Sequence, residues 1–287
     1  MAEDKRTANP LLVTTDWLAD RIGSRELVIV DGSWHLPTLK RDGFAEYRIA
    51  HIPGAVFFDI DEISDHSSDL PHMMPPPEAF ALHMARLGIG DGMKIVVYDT
   101  MGLYSAPRVW WTFKAFGANE VFILDGGLPK WRAEGRPVES GMVTRKPAHF
   151  TVNFNAKMIA DLTRVQTAID ERQAQVVDAR AAERFAGTTP EPRPGLGSGH
   201  IPGSLNLPYA ELNEGGLLKS ADRLAAAFYA AGVDLDQPVI TSCGSGISAA
   251  ILNLALTTLG KEQTSLYDGS WVEWGCKPDQ PVATGPG

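Results

Sequence analysis

"PVITSCGSGISAAILNLALTTLG", Pro238 to Gly260, sets a short apolar run against a long one, with a cysteine and two glycines between them. "PVITS" has the length and the branched side chains of a buried strand, and "ISAAILNLALTTLG" has the length of a helix. A strand passing through a glycine-containing turn into a helix is the repeating unit of parallel α/β sheets. Sites in such sheets form at the carboxyl ends of strands, and Cys243 stands at that end.

The same alternation runs outward in both directions. Before the cysteine come "QVVDA" as a strand and "KSADRLAAAFYAAGV" as a helix, with Ser220 as its cap and Gly232 as its stop. Nearer the start, "LVIVD", "PPPEAFALHMARLGI", "KIVVYD" and "SAPRVWWTFKAFG" repeat the series. "AHIPGAVFFDI" (Ala50 to Ile60) returns as "GHIPGSLNLPY" (Gly199 to Tyr209), displaced by 149 residues from His51 to His200. "VIVDGSWH" is echoed by "QVVDARAAERF", and "LDGGLPKW" by "YDGSWVEW". One duplication of about half the chain predicts two similar α/β domains, each a mainly parallel sheet flanked by helices. The expected division is residues 10–140, an unpatterned linker at 141–160, and residues 161–287.

The chain has 287 residues, 44% hydrophobic and 21% charged, which suits a globular protein of two moderate domains. Its net charge of -9 gives no basic footprint, so neither nucleic acid nor an anionic membrane surface is an expected partner. No apolar run approaches the ~20 residues that span a bilayer, and the polar start "MAEDKRTANP" does not read as a secretion signal. A cytoplasmic location is the expectation. Cys243 and Cys276 are the only cysteines, too few for a disulfide framework or a cysteine-rich metal site. No metal or cofactor is expected, and an anionic substrate must be drawn by local groups.

A helix start presents N–H donors and the positive end of its dipole, a setting that favours a thiolate at Cys243. Gly244 and Gly246 let the backbone wrap closely into a nest of N–H groups, which Ile247 and Ser248 continue into the helix. The alternative is a buried structural thiol. A phosphate loop of the Walker type fits poorly, because it needs Lys and Ser/Thr after its last glycine.

"CGSGISA", Cys243 to Ala249, resembles the active-site loop of the 3-mercaptopyruvate sulfurtransferases, a branch of the two-domain rhodanese superfamily. "DIDEISD", the paired "HIPG", "GTTPEPR" and "DGSWVEW" resemble family segments as well, so the likeness covers nearly the whole chain. It implies tandem rhodanese-like domains, with a catalytic second domain and a silent first one in which Asp99 occupies the place of Cys243. It further implies that Cys243 takes sulfur from a small anionic donor as a persulfide and passes it to a thiol, a thioredoxin-like dithiol or cyanide. Ser245, His72 and Asp61 would form a serine–histidine–carboxylate relay that delivers a proton to the departing pyruvate enolate. Arg184 and Arg193, in a Pro/Gly-rich segment, would bind the donor carboxylate, with Gly244, Gly246, Ile247 and Ser248 lining the sulfur.

Read from residue type alone, Asp61 and His72 are solvated loop residues and Arg184 and Arg193 ordinary surface charges; the resemblance is what makes them candidates. Arg180 reads as a structural ion-pair residue near a strand end, His51 and His200 as locally satisfied turn histidines, and Trp271 and Trp274 as core. Cys276 reads as an inert thiol. Three other functions stay open: a thiosulfate sulfurtransferase, whose relatives carry basic residues just after the cysteine; a cysteine phosphatase, which needs an arginine where Ser248, Ala249 and Ala250 stand; and a non-catalytic sulfur carrier.

Overall fold

The computed structural model describes residues 9–286. The first half builds a five-stranded sheet from β1 (Leu12–Val13), β2 (Leu27–Asp31), β3 (Val56–Phe57), β4 (Lys94–Tyr98) and β5 (Val121–Leu124). Its helices are α1 (Thr15–Ala19), α2 (Gly43–Ile49), α3 (Pro77–Leu87), α4 (Ala106–Ala115) and α5 (Gly127–Ala133). The second half repeats the pattern with β6 (Ile159–Ala160), β7 (Gln175–Asp178), β8 (Leu205–Asn206), β11 (Val239–Ser242) and β12 (Thr264–Tyr267), and inserts a hairpin of β9 (Asn213–Glu214) and β10 (Leu217–Leu218). Its helices are α6 (Leu162–Asp170), α7 (Ala182–Phe185), α8 (Ala221–Ala230), α9 (Ala249–Thr258) and α10 (Ser270–Trp274). The strand orders, β1-β5-β4-β2-β3 and β6-β12-β11-β7-β8, match position for position. Every pairing within the two five-stranded sheets is parallel.

Strand periodicity explains where the core lies. Alternate residues of a strand face opposite sides of the sheet. Val28, Val30, Ile95 and Val97 therefore join one buried cluster, while Leu27, Ile29, Val96 and Tyr98 join another under Trp131. In the second half, Val177 and Val239 face the first of these clusters, and Val176 and Ile240 face a third built around Trp271 and Trp274. One hydrophobic cluster thus belongs to the inner faces of both sheets, and α4 packs directly on α9 within it. Helix α9 is buried on every side from Ala249 to Leu256, as a helix apolar all round must be. Each large apolar side chain so buried contributes on the order of 1.5–3 kcal/mol.

The stretch expected as a linker is laced to the first half rather than loose. Phe150 is buried against Phe80 and Phe113, and Thr151 hydrogen-bonds Asp91. Its last two residues, Ile159 and Ala160, form β6 and pair with β12. A two-residue strand carries no periodicity, which is why the sequence pattern does not reveal it. Of the two "HIPG" histidines, His51 is satisfied locally as read, its Nδ1 bonding the Tyr47 carbonyl at 2.8 Å, whereas the Nδ1 of His200 reaches back to the Phe185 carbonyl at 2.8 Å, outside its own turn.

Candidate active site

The loop Cys243–Ser248 leaves β11 at its carboxyl end and enters α9. The cysteine is 2% exposed and forms no disulfide. The "DGSW" segment that opens α10 fixes its backbone: the Cys243 N–H donates to the Ser270 hydroxyl at 3.3 Å, and Trp271 N–H donates to the Cys243 carbonyl at 2.9 Å. Gly246 adopts φ +80°, and a Cβ there would lie 2.7 Å from Arg108 Nη1, so the position accepts only glycine. Among the described residues, the N–H groups of Gly244, Ser245, Gly246, Ile247 and Ser248 have no protein acceptor. A buried donor without a partner is costly, so this run of amides is suited to an anion at the sulfur.

The arginines of "ERFAGTTPEPR" reach this loop. A Cβ on Gly244 would sit 3.1 Å from Arg184 Nη2, which places that guanidinium beside the cysteine's neighbour. Arg184 is held in turn by Glu191, whose side chain is 1% exposed and also takes Arg180 Nη1 at 2.7 Å. Arg180 is fully enclosed, paired with Asp178 and stacked over Trp271 at 4.5 Å, in keeping with a structural role. Arg193 is half-buried and makes no ion pair among the described residues. Burial lowers its pKa, while the negative charges of Cys243 and Asp61 act in the opposite sense. A guanidinium in no ion pair, within electrostatic reach of Cys243 and Asp61, is available to an incoming anion.

From the first half, His72 and Asp61 enter the same space. His72 is 3% exposed and holds φ +64°, an uncommon backbone state for a residue with a side chain. Its Nε2 lies 3.0 Å from Asp61 Oδ1, and Trp34 Nε1–H donates to Asp61 Oδ2 at 3.0 Å. Burial acts to raise the Asp61 carboxyl, but the His72 hydrogen bond and charge, with Trp34 and Arg193, take it below the ordinary carboxylate range. On its other side the ring meets Ser245 through the main-chain carbonyl, at 3.1 Å from Nδ1, and not through the hydroxyl expected of a relay. Among the described residues the Ser245 hydroxyl has no hydrogen-bond partner.

Sequence reasoning missed Glu191, Trp34, Arg108 and Tyr104. Tyr104 is 5% exposed, packs against Tyr209, and has its hydroxyl pKa pushed far up by burial, then by Tyr209 and the charge at Cys243. Its signal was present in "YDTMGLYSA", but only the fold brings that loop across to the second half. Cys276 is exposed and lies in the segment that follows α10, outside this constellation. Among the described residues no cluster of His, Cys, Asp and Glu could hold a metal ion, and no helix is long and apolar enough to cross a membrane.

Two α/β units with matching strand orders, one with a cysteine and the other with a carboxylate at the head of the corresponding helix, define a tandem rhodanese-type architecture. The family model described as "Rhodanese-like domain" matches residues 14–134 and again 161–276. The chain is 47% identical to 3-mercaptopyruvate sulfurtransferase of Escherichia coli over 94% of its own length and 96% of the relative's. It is 41% identical to the Arabidopsis thaliana protein named thiosulfate/3-mercaptopyruvate sulfurtransferase 1, mitochondrial, covering 96% of this chain and 78% of that one. The crystal structure of SseA from Escherichia coli, a 3-mercaptopyruvate sulfotransferase by its description, superimposes with a TM-score of 0.85 at 45% identity, over 91% of this chain and 98% of that one. The chain belongs to the two-domain rhodanese superfamily, in its 3-mercaptopyruvate sulfurtransferase branch.

Proposed function

We propose that the protein is a sulfurtransferase that takes sulfur from 3-mercaptopyruvate on Cys243 and passes it to a thiol, a thioredoxin-like dithiol or cyanide. The observation that carries this reading is the buried cysteine followed by five unpaired backbone N–H groups, with the guanidinium of Arg184 alongside. The Cys243 thiolate attacks the donor sulfur, a C–S bond breaks, and the carbon fragment leaves as the pyruvate enolate. The proton carried by the donor thiol ends on the pyruvate methyl carbon, leaving an anionic persulfide on the enzyme. The loop amides stabilise charge on sulfur before and after transfer.

Arg184 and Arg193 hold the donor carboxylate with planar forks, and Glu191 keeps Arg184 aimed at the loop. The Ser245 hydroxyl, two residues from the thiol, is the group placed to hand the proton to the enolate. His72, set by Asp61, holds Ser245 through its carbonyl. No cation follows the cysteine directly, which favours a donor whose carboxylate is remote from its sulfur over thiosulfate, where charge adjoins the sulfur under attack. Thiosulfate is the second donor to test, since one relative is named for both. Cysteine usage supports a reducing, cytoplasmic setting, which cell fractionation tests. The deciding assay compares mercaptopyruvate, thiosulfate and a phosphate ester side by side, with intact-mass analysis for one added sulfur. Absence of pyruvate release and of the added sulfur with mercaptopyruvate would overturn the reading.

A further inference from the structure

Arg108, on α4 of the first half, is 3% exposed and makes its polar contacts on both halves at once. Nη2 donates to the His72 carbonyl at 2.5 Å, and Nη1 donates to the Gly246 carbonyl at 3.3 Å. Nη2 also stands 2.8 Å from Asp268 Oδ1 at the end of β12; that oxygen forms no hydrogen bond, so the contact is one of charge. The other oxygen of Asp268 accepts the Met74 N–H at 2.7 Å. The turn carrying His72 is therefore gripped at residue 72 by Arg108 and at residue 74 by its ionic partner. Trp111 packs under the guanidinium at 4.8 Å. The corresponding place on α9, two residues after Ala249, is occupied by Ile251, so this cation belongs to one half only.

We propose that Arg108 is a positioning residue for sulfur transfer, locking the cysteine loop of the second half and the His72 turn of the first half into one rigid unit. This rests on the sulfurtransferase reading above. His72 holds a backbone state that persists only where its surroundings over-determine it, and the Arg108–Asp268 pair supplies that constraint from both sides of the turn. The same guanidinium fixes the carbonyl of Gly246, whose φ of +80° sets the path of the loop amides. A lysine at 108 would keep the charge, but one ammonium group cannot serve acceptors spread over two domains as a planar fork does.

Arg108→Lys is the central test, with Arg108→Ala beside it. With mercaptopyruvate, kcat should fall ~10- to 100-fold in Arg108→Lys while KM stays within about threefold, because the arginines facing the donor are untouched. Added guanidinium at millimolar concentration should restore part of kcat in Arg108→Ala, an effect that a purely structural role would not show. Amide hydrogen exchange, which needs no donor, should quicken together at residues 244–248 and 72–74, with α3 and α8 unchanged. A folded Arg108→Lys protein with the parent's kcat, or with parent-like exchange in both segments, overturns the proposal. Failure of the parent itself to release pyruvate would instead count against the donor assignment, and the exchange experiment would still decide the role of Arg108.

Discussion

The loop after β4 and the loop after β11 leave equivalent strands and enter helices that pack on each other, yet they treat negative charge in opposite ways. After β4, the Asp99 carboxylate turns back into its own loop and accepts the N–H groups of Met101 at 2.8 Å, Tyr104 at 2.7 Å, Ser105 at 2.9 Å and Ala106 at 2.9 Å. After β11, the residue in that place is Cys243, and the amides that follow have no protein acceptor among the described residues. The carboxylate does more than repel anions from the first half: it occupies the nest itself. The mouth is closed as well, since Gly102 of that loop lies against Gly216 of the β9–β10 hairpin, with 2.9 Å between a Cβ on Gly102 and the Gly216 Cα. One loop architecture thus serves as a structural joint when its anion is built in, and as a candidate site when the anion is left to a reactive sulfur.

Cys243→Ser breaks the comparison most directly. Sulfur transfer should fall at least ~1,000-fold, since an alcohol carries no persulfide, while Cys276→Ser stays near the parent. Asp99→Cys added to Cys243→Ser should restore none of it, because the arginine that reaches the first loop, Arg41 on the Thr100 hydroxyl, is already paired with Glu46, and the loop is covered. Pyruvate release and the mass of the loaded protein check all three, and recovery in the double mutant would show that the two loops are interchangeable.

A second contrast lies at the ends of β2 and β7. Asp178 has Arg180, whereas Asp31 has Ser33 in its place, and burial pushes the Asp31 carboxyl up to about 7 against the Ser33 hydrogen bonds. The folded first half therefore holds a proton that the unfolded chain releases near its ordinary value of 3.8. The resulting stability is fully present below that value and is lost as pH rises towards 7, by about 4 kcal/mol in all. Asp31→Asn should flatten this dependence, leaving the variant relatively more stable at pH 7.5 than at pH 4.5. Denaturant midpoints at the two pH values measure it, and parallel shifts in parent and variant would sink the idea.

Within the second half, Arg184→Ala and Arg193→Ala should each reduce kcat/KM for mercaptopyruvate by about 1.5–3 kcal/mol, as the loss of a charge-assisted bond to a carboxylate requires. Unchanged kinetics in both would remove them from the donor site. The smallest expected change concerns donor choice. Gly244→Arg with Ser245→Lys should shift the kcat/KM ratio from mercaptopyruvate towards thiosulfate by at least about tenfold, or ~1.4 kcal/mol. Arg184, 3.1 Å from a Cβ at Gly244, opposes a second cation there and limits the gain. An unaltered ratio in the folded double mutant would mean that the loop does not set donor preference.

By itself the sequence determined the duplication, the alternation of strand and helix, the parallel sheets and the cysteine at a strand end. These are local or periodic properties, legible because side chains alternate across a strand and because glycines and caps punctuate the chain. It also singled out Arg184, Arg193, His72 and Asp61 as candidates, though only through resemblance, since an arginine or a histidine in a loop carries no mark of what it will face. Tertiary structure decided the rest. It showed that Asp99 fills its own nest, that His72 meets the carbonyl of Ser245 rather than the hydroxyl, that Glu191 aims Arg184, and that Arg108 ties the halves together. The His72 and Arg108 contacts join residues dozens to more than a hundred positions apart, and the Asp99 and Glu191 contacts, though close in sequence, depend on how their loops fold back. Hydrogen-bond geometry and desolvation act over a few ångströms, and only the packed chain sets those distances.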